Sequence, residues 1–101
     1  MECSNGEKID LLIKTLKNYL KARGKAIYSL AEAAGQEQVS IELQALYWSY
    51  PRTSTYRRFM DMYTSLTSSG ECEVSIYGDK IVLKKDRIVL PRRLVKVLMN
   101  E

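Results

Sequence analysis

A single α+β domain, mainly helical, is the fold class that residues 1–101 predict. Three observations predict it. Apolar residues recur at helical spacing from Ile9 to Leu20 and again from Tyr56 to Leu66. The period then switches to alternation in Val74, Ile76, Ile81 and Leu83, on either side of Gly78-Asp79, which reads as a hairpin with a tight turn. No repeat and no Pro/Gly-rich linker divides the chain, whose length suits one modest core.

The elements follow in order. In "CSNGEKIDLLIKTLKNYLKARGK", Ser4 and Glu7 have capping-box spacing, and Ile9, Leu12, Ile13, Leu16 and Leu20 form an apolar stripe. Gly24 is the natural stop, so a helix is predicted over 6–23, with Lys21 and Arg23 favouring its negative end. "AIYSLAEAAGQEQ" predicts a shorter second helix, with Ala26, Ile27, Leu30, Ala31 and Ala34 on one face and Gly35 as its cap. Ser40 is placed to cap a third, which carries Leu43, Leu46 and Tyr47 and ends near Ser49 because Pro51 disfavours helical geometry at Tyr50.

A fourth helix is predicted from about Thr53 or Ser54. Each residue turns about 100° around the axis, so Tyr56, Phe59, Met60, Tyr63 and Leu66 fall inward, and Ser54, Arg57, Arg58, Asp61 and Ser65 outward. Gly70 stops it, and the hairpin follows over about 72–85. Arg87 to Leu90 reads either as a third strand or as an extended link. Pro91 then suits the first position of a short final helix carrying Leu94, Val95 and Leu98.

Composition narrows the function. The chain has no histidine, so the commonest general base is missing and metal ligands are scarce. No paired acid and base or phosphate-cradling glycine loop stands out, so neither catalysis nor a cofactor is expected. Cys3 and Cys72 are the only cysteines and, with no secretion signal in "MECSNGEKID", are expected as free thiols of a cytoplasmic protein. No apolar run reaches membrane-span length.

Charge placement says more than the net +4. Residues 1–50 hold six Lys/Arg against six Asp/Glu, whereas residues 51–101 hold ten against six. From Lys80 to Lys96 seven bases face one acid, Asp86. A polyanion would meet the second half.

The stretch "SIELQALYWSYPRTSTYRRF", Ser40 to Phe59, resembles the helix-turn-helix of the winged-helix superfamily. There a short helix and tight turn precede a second helix that opens with small hydroxyl residues, then an aromatic, basic residues and a hydrophobe, as "RTSTYRRF" does. The following hairpin is similar to the wing. Where many members have glycine in the inter-helix turn, this chain has "WSYP". The resemblance implies one winged-helix domain of three to four helices, with the helix-turn-helix at about 40–67, a β-hairpin wing at about 72–85 and a short final helix. It also implies double-stranded DNA as partner and a dimer as a common form.

On that reading the DNA-binding set is Arg52, Thr53, Ser54, Thr55, Arg57 and Arg58 from the helix opening, with Lys80, Lys84 and Lys85 from the hairpin. Short hydroxyl side chains let backbone N–H groups approach a phosphate, and arginine can pair bidentately with guanine in the major groove. Hairpin lysines would touch backbone phosphate without specifying sequence. The plainer readings are a solvated arginine face and lysines that protect a sheet edge. Tyr47, Trp48 and Tyr50 are either core or an aromatic patch for a protein partner. The leading expectation is a transcriptional regulator that acts by binding. The alternative is an accessory subunit of a replication, repair or transcription complex that uses the domain mainly for protein contact. A structured-RNA binder is a weaker third.

Overall fold

A computed structural model describes every residue except Met1, Asn5, Thr53 and Ser54. The architecture is α+β. Helix α1 (Gly6–Ala33) leads into strand β1 (Gln38–Glu42), a 3-10 helix (Leu43–Ser49) and helix α2 (Phe59–Leu66). Strands β2 (Cys72–Ile76), β3 (Asp79–Leu83) and β4 (Arg87–Pro91) follow, and helix α3 (Arg92–Met99) ends the chain. The strands form one antiparallel sheet in the order β1-β4-β3-β2. Arg87 to Leu90 is therefore a strand rather than a link, and it seats β1 beside the meander.

The core lies between one sheet face and the helices. Val39, Ile41, Val74, Ile81, Leu83, Ile88 and Leu90 alternate onto that face and are buried, as a half-buried antiparallel sheet requires. Leu12, Leu16 and Leu20 of α1 and Leu94, Val95 and Leu98 of α3 are buried with them.

α1 does not stop at Gly24, nor does a separate helix begin after it; one helix of 28 residues runs to Ala33. The physical reason is packing. Gly24 continues the buried stripe of Leu16 and Leu20, and a Cβ there would sit 3.0 Å from the Met99 sulfur. The missing side chain lets α3 approach, and burial along the whole stripe outweighs the ~1 kcal/mol that glycine costs inside a helix. Gly35 ends the helix as expected, at φ 68°, with the Gln36 N–H returning to the Ala31 carbonyl at 2.8 Å.

Ser40 is a strand residue, not a helix cap, because Val39 and Ile41 on either side point into the core. The hairpin turn is Tyr77-Gly78, both at positive φ, rather than Gly78-Asp79. Asp79 is drawn into β3, where its carboxylate accepts from the Arg93 Nε at 2.8 Å. Pro91 ends β4 and sits just before α3 instead of inside its first turn.

The cysteines are not free thiols: Cys3 and Cys72 form a disulfide. The N-terminal segment lies along the outer edge of β2, where the Cys3 N–H donates to the Glu73 carbonyl at 2.8 Å and Ser75 Oγ donates to Glu2 Oε1 at 3.2 Å. That pairing covers part of an edge strand and brings two thiols together across 69 residues of sequence. Closing so long a loop in the unfolded chain stabilises the fold. Reduction, or the paired Cys3→Ser/Cys72→Ser change, is expected to cost about 2–4 kcal/mol. Urea unfolding with and without dithiothreitol measures this, and the unfolded, unreduced protein should show no titratable thiol.

Candidate nucleic-acid interface

In the 3-10 helix three ridges run along the axis, because side chains three apart eclipse. Leu43 and Leu46 form the buried ridge. Tyr47 lies on a second ridge and is 47% exposed, while Trp48 lies on the third with Ala45 and is 94% exposed. The Asn18 Nδ2 donates to the Ser49 carbonyl at 3.2 Å and ties the end of this helix to α1.

The chain then leaves helical geometry, as Pro51 requires: Tyr50 is extended, at φ −75° and ψ 124°. It stays so for longer than expected. α2 begins at Phe59, not at Thr53 or Ser54, and Arg58 before it is extended at φ −114°, ψ 142°. Two causes combine. Thr55 is a weak helix former whose hydroxyl competes for backbone hydrogen bonds. The aromatics are also engaged elsewhere: Tyr50 is buried with its hydroxyl donating to the Tyr56 carbonyl at 2.6 Å, and the Tyr56 ring lies under the Lys8 ammonium at 5.5 Å. The stretch expected as a helix-turn-helix over 40–67 is thus strand, 3-10 helix, long loop and α2. Thr53 and Ser54 lie outside the described residues. Arg52, Thr55, Arg57 and Arg58 are exposed on the loop.

α2 buries Phe59, Met62, Tyr63 and Leu66 and turns Asp61 and Thr64 outward. Its Tyr63 hydroxyl donates to the Lys84 carbonyl, with the Arg87 carbonyl 3.4 Å away. The Lys84 N–H closes the β3–β4 turn onto the Arg87 carbonyl at 2.9 Å, and the Leu43 N–H reaches the Asp86 carbonyl at 3.3 Å. This turn, with Lys84 and Lys85, therefore sits beside α2 and the 3-10 helix. Lys80 is at the opposite end of β3, near the Tyr77-Gly78 turn, and pairs with Glu73 at 3.3 Å. β3 is an interior strand, so Lys80 does not protect an edge either.

Ion pairing sorts the bases of the second half. Lys80, Arg87 and Arg93 are bound to Glu73, Asp86 and Asp79. The Arg87 and Arg93 guanidiniums hold the carboxyls of Asp86 and Asp79 below the usual carboxylate range. Arg92 and Lys96 lie over the Tyr28 ring, each 5.8 Å from its centre. Arg52, Arg57, Arg58, Lys84, Lys85, Arg92 and Lys96 have no ion-pair partner among the described residues, and the last two lie against Tyr28.

The three arginines border one recess. A groove of about 800 Å³ is lined by Tyr47, Tyr50, Arg52, Arg57, Arg58, Phe59 and Met60. A second, of about 430 Å³, runs from Tyr47 and Met60 to Ser40, Glu42, Asp86 and Arg87. Tyr47 and Met60 line both grooves, and Glu42 and Asp86 bring carboxylates to the second. Sequence spacing locates the arginines. It does not reveal that the turn carrying Lys84 and Lys85 is bound to α2 through Tyr63, since the signal is a hydrogen bond between residues 21 apart. Tyr50, expected on a partner surface as one of two options, takes the core one. Among the described residues no cluster of His, Cys, Asp or Glu could hold a metal ion, and no helix is long and apolar enough to cross a membrane.

Burial, the largest cause, raises the Tyr63 phenol well above its ordinary value of 10.0, and Asp86 and Glu71 add to this. The neutral phenol is thus favoured in the folded state. Its contribution is complete below the unfolded value and declines as pH rises above it, where the unfolded chain ionises first. Tyr63→Phe is expected to cost about 1–3 kcal/mol near neutral pH and to lessen the loss of stability above pH 10, measured by urea unfolding across pH. Trp48, the sole tryptophan, is 94% exposed, so its emission should match that of indole in water and be fully open to iodide. A blue shift on raising protein concentration would mark its burial between copies.

Compared with known proteins, the chain matches no protein family, no curated protein and no solved structure.

Proposed function

We propose that this chain is a small winged-helix DNA-binding protein, a transcriptional regulator acting by binding without catalysis. Its duplex-facing surface is the 52–58 loop, less Thr53 and Ser54, together with the Lys84-Lys85 turn. One observation carries the reading: Arg52, Arg57 and Arg58, exposed and without an ion-pair partner among the described residues, rim one groove. The order helix, strand, helix, helix, then an antiparallel meander supports the winged-helix comparison.

The work of such a face is backbone recognition. Arginine forks bind phosphate oxygens bidentately, and lysines add point charge. α2 turns an acid, Asp61, outward, so contact through the loop and turn replaces insertion of this helix into a groove. A second reading, an accessory subunit that binds protein, is favoured by Trp48 alone, since a fully exposed tryptophan suits an interface core.

Binding to random-sequence duplex, measured against salt, separates the two. Five neutralised phosphates give a slope of log affinity against log salt of about −4.5. Arg57→Ala/Arg58→Ala, which alters exposed side chains only, should make it shallower by about 2. Folded protein that leaves duplex unbound at low salt favours the protein-partner reading.

A further inference from the structure

We infer that the arginine-rimmed groove beside Tyr47 is a stacking site for an unpaired base, so that the preferred partner is DNA with a single-stranded segment beside a duplex. This rests on the reading that the same arginines bind DNA backbone, and it names what the groove between them is for. Phosphate contact needs charge and reach. It does not need a recess of about 800 Å³ with Tyr47, Tyr50, Phe59 and Met60 among its walls, a volume within the roughly 300–1,000 Å³ of small-molecule sites.

The wall is built to be stiff. The Tyr47 ring leans on Phe59, with centroids 6.2 Å apart and planes at 47°. Phe59 is 3% exposed and is backed by Tyr50 at 5.8 Å, edge to face, and by Tyr63 at 5.6 Å. This chain of rings runs from the surface into the core, so Tyr47 is held from behind while about half of it stays open to solvent. A half-exposed aromatic braced in this way loses little freedom when a base stacks on it. Arg52, Arg57 and Arg58 around the rim then meet the phosphates on either side of that base.

The charge complement selects the occupant. An apolar ligand would leave three guanidiniums at the rim without partners. A paired base is already stacked inside its duplex and cannot enter. An unpaired nucleotide brings a flat π face and flanking phosphates together, which is the pairing that single-strand binders use. It needs no fixed sequence, since every base has such a face.

The test compares a blunt duplex with the same duplex carrying a short deoxythymidine overhang, for the full chain at one salt concentration. The overhang probe should bind roughly tenfold tighter or more. Tyr47→Ala should bring the ratio of the two affinities to about one, and Tyr47→Phe, which keeps the ring, should retain the preference. Arg57→Ala/Arg58→Ala should weaken both probes. Equal affinity for the two probes, with arginine-dependent duplex binding intact, overturns the stacking site and leaves the duplex reading standing. A preference that survives Tyr47→Ala, or is lost equally in Tyr47→Phe, also overturns it. Binding of neither probe by the folded protein overturns both readings.

Discussion

The carbonyl oxygens of the turn between β3 and β4 hold the sheet to α2 and the 3-10 helix. Lys84 accepts from the Tyr63 hydroxyl of α2, Asp86 accepts from the Leu43 N–H of the 3-10 helix, and Arg87 accepts from Lys84 across the turn. Each donor comes from a different part of the chain. None of the bonds involves a charged group, yet together they decide where the charges sit. The turn that carries Lys84 and Lys85 lies beside α2 because a buried phenol needs an acceptor, not because of the charges it bears.

Ion pairs then shape the field more than the stability. The bridges from Lys80 to Glu73 and Arg87 to Asp86 are exposed, and such pairs contribute about 0–1 kcal/mol. Their consequence lies in what they cancel. Counted along the chain, the stretch from Lys80 to Lys96 has one acid. In three dimensions Glu73 reaches Lys80 from the neighbouring strand, and Asp79 meets Arg93. Three of the seven bases in that stretch are thereby paired, while Lys84, Lys85, Arg92 and Lys96 stay without an ion pair among the described residues, as do the arginines of the loop before α2.

Local patterns made much of this fold legible. The stripe from Leu12 to Leu20, the alternation on either side of the hairpin turn, the stop at Pro51 and the stripe of α3 are each decided within a few residues, by period or by backbone sterics. What escaped was decided at a distance. Gly24 reads as a helix end until Met99 is known to fill the space its side chain leaves. The stretch before Phe59 continues a helical repeat on paper, but Tyr56 and Tyr50 are bound to each other instead. Cys3 and Cys72 read as separate thiols, because nothing local shows that the first residues run along β2. The arginines of the site were visible as residues, whereas the groove was not, since it arises where the 3-10 helix, the loop and α2 meet.

The shape of α2 decides what kind of recognition the face can support. At about 1.5 Å per residue its eight residues span about 12 Å. Its first residue, Phe59, is buried, and the first side chains it turns outward include the acid Asp61. A helix that reads base edges needs its opening turn free and compatible with a phosphate-lined groove. Here the opening turn anchors the aromatic chain behind Tyr47, and an outward carboxylate would face phosphate oxygens across the groove. The loop ahead of the helix has the opposite character, with arginines exposed and a recess between them. Discrimination by such a surface follows from backbone shape and from whether a base is free to leave its stack, rather than from hydrogen bonds to a fixed order of base pairs.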